Sequence, residues 1–256
     1  MSDVTRAEIC VVACAEAWRG DGEIFASGMG AVPMLGARLA RASFEPDLLV
    51  SDGEAFFIAN DLPLAPPGDP PPAKVIEGWI PFRSVFDTLW AGRRHVMMGA
   101  SQIDRFGNQN IACIGPWARP KVQLLGVRGA PGNTVCHPTS YWIPNHNPRV
   151  FVAQVDMVSG VGYQRAAAAG AWVAAHHEIR RVITNLGVFD FETSDHAMRL
   201  RSVHPGVTVD EVVAATSFAL VVPDDVAESR LPSEVELRLL RDVLDPGGQR
   251  NAEFKA

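Results

Sequence analysis

Residues 22–44 read Gly-Glu-Ile-Phe-Ala-Ser-Gly-Met-Gly-Ala-Val-Pro-Met-Leu-Gly-Ala-Arg-Leu-Ala-Arg-Ala-Ser-Phe. A short apolar run, Ile24–Ala26, breaks at Gly28 and Gly30. From Pro33 the apolar period changes, with Leu35, Leu39 and Ala42 on one side of a predicted helix. Strand, glycine break, helix is the repeating unit of α/β architecture. The pattern continues on both sides. Residues 6–18 (RAEICVVACAEAW) have helical spacing, and Asp47–Ser51 (DLLVS) is an apolar strand ending abruptly at Asp52-Gly53-Glu54. Polar, glycine-bearing strand ends are where α/β folds place their chemistry.

Further along, residues 60–74 (NDLPLAPPGDPPPAK) hold six prolines and predict a surface excursion, a linker or a docking arm rather than a regular element. A helix is predicted over 82–92. Strands then follow quickly: HVMMGA from His95, NIACIG from Asn110, KVQLLGV from Lys121 and RVFVAQVD from Arg149. After the alanine-rich QRAAAAGAW, the segments EIRRVITN and FALVVPD read as further strands. Residues 207–216 read as a helix, and Ser233 as the N-cap of the last one. Strands without intervening helices argue against a plain doubly wound unit. The expected fold class is therefore α/β, a single open, mixed or parallel sheet flanked by helices, in one domain over residues 1–256.

Bulk properties exclude several classes. The 47% hydrophobic content supplies a sizeable core, and 20% charged residues argue against disorder. A formal net charge of −6, with no Lys/Arg-rich block, argues against nucleic-acid binding. The start, MSDVTRAEIC, has no basic and apolar leader, and no apolar stretch reaches membrane-spanning length, so a cytoplasmic protein with no membrane partner is expected. Cys10, Cys14, Cys113 and Cys136 form no CxxC and read as core thiols of a reducing compartment.

Four segments can carry chemistry. Gly28 and Gly30 can bring backbone N–H groups to an anion or thioester, or simply make a tight turn. The stretch matches neither GxGxxG nor a phosphate loop. Asp52 and Glu54 can share a proton as acid and base, or be solvated turn carboxylates. In Gln102–Asn110 (QIDRFGNQN), Arg105 can hold a carboxylate or phosphate and Asn108 can contact a ligand; a structural turn network is the equal alternative. In Gly126–Asn133, the residues Gly129, Gly132 and Asn133 can offer N–H donors to an oxyanion, with His137 as a proton shuttle or a surface histidine. Tyr141, Trp142 and His146 either line a pocket or cover the core. His176-His177-Glu178 does not match HExxH, so no metal is expected. No Gly-x-Ser-x-Gly elbow is present.

The order GMGAVP, LLVSDGEAFF, MMGASQIDRFGNQN, GVRGAPGN and VHPGVTVDEVVAATSF resembles the β-type subunit of class I CoA transferases, the glutaconate type in particular, over nearly the whole chain. That resemblance implies an open α/β domain, a homologous α-type partner and an acyl-CoA bound near their interface. Transferases of the family carry a nucleophilic glutamate in a Ser-Glu-Asn-Gly-like stretch. Here Ser51 matches the serine, Asp52 stands at the glutamate position, and Gly53-Glu54 replaces Asn-Gly. Aspartate is one methylene shorter, and misplacement by ~1 Å is costly for a nucleophile. The motifs are more similar to the β-type subunit of steroid (cholesterol) ring-cleaving hydrolases within the family. This implies C–C cleavage of a cyclic keto acyl-CoA by water, no cofactor beyond the CoA thioester substrate, and an α2β2 heterotetramer whose α-type subunit carries a catalytic glutamate. In that setting Asp52, Glu54, Arg105 and His137 are the catalytic candidates, and Gly28, Gly30, Asn108, Gly129, Gly132 and Asn133 the substrate-binding ones. Two alternatives are a true CoA transferase subunit and a structural partner of a catalytic α-type chain.

Overall fold

In the computed structural model, the described residues are 4–53, 55–66, 68–70, 72–127, 129–136 and 138–254. They fall into two compact units, one built from the first 98 residues and from Arg230 onward, the other from Gly99–Ser229.

The first unit opens with α1 (Arg6–Glu16). Thr5 caps it through a capping box: its hydroxyl accepts from the Glu8 N–H, and the Glu8 carboxylate accepts from the Thr5 N–H. Strand β1 (Phe25–Gly28) leads through Gly30 into α2 (Ala31–Ser43), as residues 22–44 predict. The two helices lie close enough that a β-carbon on Gly36 would sit 2.8 Å from Cys14 Cβ, so glycine permits the approach. The predicted strand at 47–51 forms only two isolated bridges, Leu49 beside Phe25 and Ser51 beside Phe57. Next come the antiparallel pair β2 (Phe56–Ile58) and β3 (Ile76–Trp79), then α3 (Phe82–Trp90) and β4 (Arg94–Met98). Strand β4 is wholly buried and runs parallel to β1, with Met97 opposite Gly28.

The second unit contains small antiparallel hairpins and one larger sheet. Strands β5 (Gln102–Ile103) and β6 (Gln109–Asn110) form a hairpin, as do β7 (Cys113–Ile114) and β8 (Val122–Gln123). A short helix α4 (Ala130–Cys136) follows. Strand β9 (Thr139–Ile143) is fully buried and parallel to β10 (Ile179–Thr184), which α5 (Tyr163–Ala168) and α6 (Ala171–His176) precede. Strand β10 pairs antiparallel with β11 (Gly187–Asp190), and β11 with β12 (Arg199–Val203). After α7 (Val209–Ala214), β13 (Ala227–Glu228) returns parallel to β12. The chain ends, back in the first unit, with α8 (Glu234–Arg238) under its Ser233 cap, a π-helical turn at Leu239–Leu244 and a 3-10 helix at Gln249–Glu253. The mixed parallel and antiparallel sheet with flanking helices is the expected α/β class.

Two further predicted strands, like that at 47–51, do not form. RVFVAQVD and FALVVPD make isolated bridges only, at Phe151 and Val221. Phe151 is instead a core anchor: its ring stacks on His146 at 3.6 Å between centroids, and burial pushes the His146 imidazole down to about 3, so it stays neutral. Tyr141 and Trp142 lie in β9 as core residues.

Candidate functional site

Gly28 and Gly30 hold the turn between β1 and α2. A β-carbon on Gly28 would lie 2.4 Å from the backbone carbon of Pro33, so no other residue fits. Gly30 has φ +112°, in the region that favours glycine. On the neighbouring segment Leu49 accepts from the Ala26 N–H at 2.9 Å, and its own N–H donates to Ile24 at 3.0 Å. Leu49 therefore lies parallel to β1, and Asp52 follows this bridged segment as Gly28 ends β1. Glu54 lies outside the described residues.

The Asp52 side chain is fully buried. Its Oδ1 accepts from the N–H groups of Ala55 at 3.1 Å and Phe56 at 3.2 Å, and its Oδ2 from the Lys74 ammonium at 2.6 Å. The carboxylate thus closes its own turn and anchors the far end of the proline-rich excursion. Lys74, 22 residues away, has no local signature that would have marked it as this partner.

In the second unit, the turn from Asp104 to Asn108 is a buried polar network. Asp104 Oδ1 accepts from the Phe106 and Asn108 N–H groups, both at 3.0 Å, and Oδ2 from the Asn108 amide at 2.9 Å. Burial raises the Asp104 carboxyl above its ordinary value despite these hydrogen bonds. Asn108 Oδ1 accepts from the Gly162 N–H at 3.0 Å. Gly107 has φ +80°, and a β-carbon there would meet Ile179 Cδ1 at 2.5 Å. Asn110 accepts from Ala112 at 2.9 Å and donates to Gln102 and the Cys113 carbonyl, both at 2.7 Å; Gln102 in turn donates to Asp156 at 3.1 Å. Of the two readings of QIDRFGNQN, the structural network accounts for these side chains. Arg105 differs: it is 36% exposed, and its guanidinium meets the exposed Asp195 at 3.3 Å. That pair sits in high dielectric and contributes little to stability.

Gly129, Gly132 and Asn133 lie at the start of a helix. Helix α4 starts at Ala130, and the Asn133 N–H donates to Gly129 at 3.0 Å. Asn133 is buried, while a β-carbon on Gly129 would meet nothing within 4 Å. Pro131 suits the helix start, since it fixes φ and its missing N–H falls where no intrahelical partner is needed. His137 lies outside the described residues. The structure thus groups Gly28, Gly30 and Asp52 in the first unit, and Arg105, Asn108, Gly129, Gly132 and Asn133 in the second. Among the described residues no three His, Cys, Asp or Glu side chains are grouped as metal ligands. No described helix is long and apolar enough to cross a membrane.

Comparison with known proteins agrees with this geometry. The Coenzyme A transferase family model matches residues 85–215. The chain is 52% identical over 253 residues to the cholesterol ring-cleaving hydrolase IpdB subunit of Rhodococcus jostii, covering 99% of this chain and 97% of that one. It is 31% identical over 252 residues to one of the subunits of the 3-oxoadipate CoA-transferase of Pseudomonas knackmussii, covering 94% of each. Among solved structures, that of Rhodococcus jostii IpdAB superposes with a TM-score of 0.92 at 51% identity, covering 100% of both chains. Glycine-bearing strand ends, a mixed sheet and similarity along nearly the entire length converge on one conclusion: the chain belongs to the coenzyme A transferase family.

Proposed function

We propose that this chain is the β-type subunit of a hydrolase that opens the last steroid-derived ring of a cyclic keto acyl-CoA, in steroid (cholesterol) catabolism. The observation that carries the reading is the 52% identity to a cholesterol ring-cleaving hydrolase subunit over 99% of this chain. The relative is named as the IpdB subunit of IpdAB, which supports a homologous α-type partner for this chain. In this reading the partner completes the site and the assembly is α2β2. A substrate carried as a CoA ester does not cross membranes unaided, which suits a cytoplasmic enzyme.

In the proposed reaction a carboxylate of the α-type partner takes a proton from water, and the hydroxide adds to the ring ketone. The tetrahedral oxyanion is held by N–H donors or a cation. On collapse the ring C–C bond breaks: the former ketone carbon becomes a carboxylate, and the electron pair passes to the neighbouring carbon, delocalised toward the thioester. That carbon then takes a proton, so water is the only co-reactant and no cofactor is required. Glu54 and His137 are the candidate donors of this proton in this chain. Arg105 is the candidate contact for an anionic group of the acyl-CoA, while Gly28 and Gly30 shape the turn that the substrate meets in the first unit. Asn108, Gly129, Gly132 and Asn133 are the candidate substrate contacts of the second unit, with Asn108 in the same turn as Arg105.

Asp52 supports hydrolysis over transfer. A transferase nucleophile must approach the thioester carbonyl, whereas both Asp52 oxygens are committed to backbone N–H groups and Lys74. Asp52→Asn in the complex is expected to lower stability by about 1–3 kcal/mol through the broken buried pair, with turnover within a few-fold of the parent. A nucleophile lost in this way costs on the order of 10⁴ or more in kcat, and a drop of that size would return the transferase reading.

The direct test co-expresses this chain with its α-type partner and supplies the cyclic keto acyl-CoA in ¹⁸O-water. The expected product is an open-chain acid heavier by one water, with the label in the new carboxylate. CoA exchange onto an added free acid, with a hydroxylamine-sensitive CoA adduct on this chain, would establish the transferase instead.

A further inference from the structure

The C-terminal segment of the chain ends inside the first unit, against the turn that the strand-end motif forms. The Glu253 carboxylate accepts a hydrogen bond from the Ala31 N–H, at the first turn of α2. A β-carbon on Gly30 would lie 2.8 Å from Glu253 Oε1, so the carboxylate sits directly on the Gly30–Ala31 peptide. Gly30 offers no side-chain cap to α2. The carboxylate meets an N–H that the helix itself leaves unsatisfied, and it does so at the positive end of the helix dipole.

The segment that brings Glu253 there is firmly held. Asp245 accepts from the N–H groups of Gln249 at 2.6 Å and Arg250 at 3.0 Å, which starts the 3-10 helix Gln249–Glu253. The Arg250 guanidinium returns to Asp245 at 2.8 Å and reaches Glu8 in α1 at 3.3 Å. Arg241 clamps the same Glu8 with two hydrogen bonds, at 2.6 and 2.8 Å. Leu244 accepts from the Leu64 N–H at 2.8 Å. The last residues are therefore a strap fixed at α1 and at the proline-rich excursion, with its carboxylate on the turn after β1.

We propose that Glu253 is a positioning residue for the acyl-CoA: through the Ala31 N–H it fixes the Gly28–Ala31 turn in the form the substrate meets. This rests on the function proposed above for the identity of the ligand, and on the geometry alone for the strap. The carboxylate already fills the α2 N-terminus, so the substrate does not bind there. It meets instead the turn that this contact holds. Glutamine keeps an acceptor oxygen at the same reach, and alanine removes it.

The experiment uses the complex of this chain with its α-type partner. Glu253→Ala is expected to raise KM for the cyclic keto acyl-CoA about tenfold, the scale of losing one cap, with kcat within about twofold. Glu253→Gln is expected to restore KM to within about threefold of the parent. Hydrogen exchange at the Ala31 amide, measured without substrate, is expected to quicken about tenfold in Glu253→Ala only. Unchanged KM in the alanine variant despite faster exchange overturns the positioning role. Equal loss of kcat and thermal stability in both variants does the same, since it marks Glu253 as a fold contact only. If the parent complex fails to turn over the acyl-CoA, the ligand assignment falls with the functional reading, whereas unaltered exchange at Ala31 overturns the strap by itself.

Discussion

Glu8→Gln is expected to destabilise the protein by about 3–5 kcal/mol, the cost of removing one member of a buried ion pair. The Glu8 side chain is 1% exposed and faces two guanidinium groups, Arg241 and Arg250. Glutamine fits the space but takes from Arg241 the anion it clamps and leaves Arg250 with Asp245 alone. Burial by itself would raise the Glu8 carboxyl. Hydrogen bonds from Arg241 and Thr5, with the charge of Arg241, outweigh it and hold the group down from 4.5 to about 2. The sign of the pH dependence follows. A carboxyl depressed in the folded state contributes its full stability above the unfolded value of 4.5 and loses it as pH falls toward 2. That contribution is ~3 kcal/mol. Glu236, buried beside Arg230 and likewise held at about 2, adds to the same window. Urea titrations at pH 7 and pH 3 check this: the gap between parent and Glu8→Gln should be large at pH 7 and smaller by about 2 kcal/mol at pH 3, the remainder being lost only as pH falls to 2 and below. A gap independent of pH would show that the charge of Glu8 is not what stabilises the strap.

Gly162→Ala carries the second large effect, about 3–5 kcal/mol of destabilisation, combining overpacking with a lost buried hydrogen bond. The obstacle is backbone rather than a flexible side chain. A β-carbon on Gly162 would lie 2.4 Å from the Phe106 carbonyl oxygen and 2.5 Å from the Asn108 nitrogen. To relieve this, the segment around Gly162 must withdraw from the Asp104–Asn108 turn and release the Gly162 N–H from Asn108 Oδ1. Asn108 then keeps a buried acceptor without a donor. Arg105 sits in the same turn, so KM for an anionic substrate should rise along with the fall in urea midpoint. Gly129→Ala, where a β-carbon meets nothing within 4 Å, is the matched control and should change stability by no more than ~0.5 kcal/mol. Comparable losses in both variants would remove the distinction drawn between these glycines.

What the sequence makes legible is local. The capping residues, the 3.6-residue period of α1 and α2, and the break at Gly28–Gly30 are all signals within a few residues, and the corresponding elements form. Strands are harder. RVFVAQVD has more β-branched character than Gly187–Asp190 or Arg199–Val203, yet those two pair in the sheet and it does not. Strand formation depends on which neighbours bury a face, and Phe151 buries its ring against His146 without a ladder. Tyr141 and Trp142 suggest a pocket wall or core cover, yet TSYWI is also β-branched or aromatic at four of its five positions, and Thr139–Ile143 is a fully buried strand. At the site, the spacing of Asp52, Arg105 and the glycines is visible in the sequence. Their partners are not, because Lys74, Asp195 and Glu253 lie 22, 90 and 222 residues from the groups they meet, and only folding brings them there.

The division of the chain has a consequence for its synthesis. The unit that carries Gly28, Gly30 and Asp52 is discontinuous, using residues up to Met98 and again from Arg230. Translation delivers the stretch Gly99–Ser229 in one piece, so that unit has all its residues while the other still lacks Arg230, Arg241, Asp245 and Arg250. Until those residues leave the ribosome, Glu8 lacks the two guanidinium groups it pairs with and the turn after β1 lacks the carboxylate that holds it. Losing the stretch from Arg230 onward would therefore damage a unit whose other part, up to Met98, is synthesised earlier, while leaving Gly99–Ser229 with all its residues.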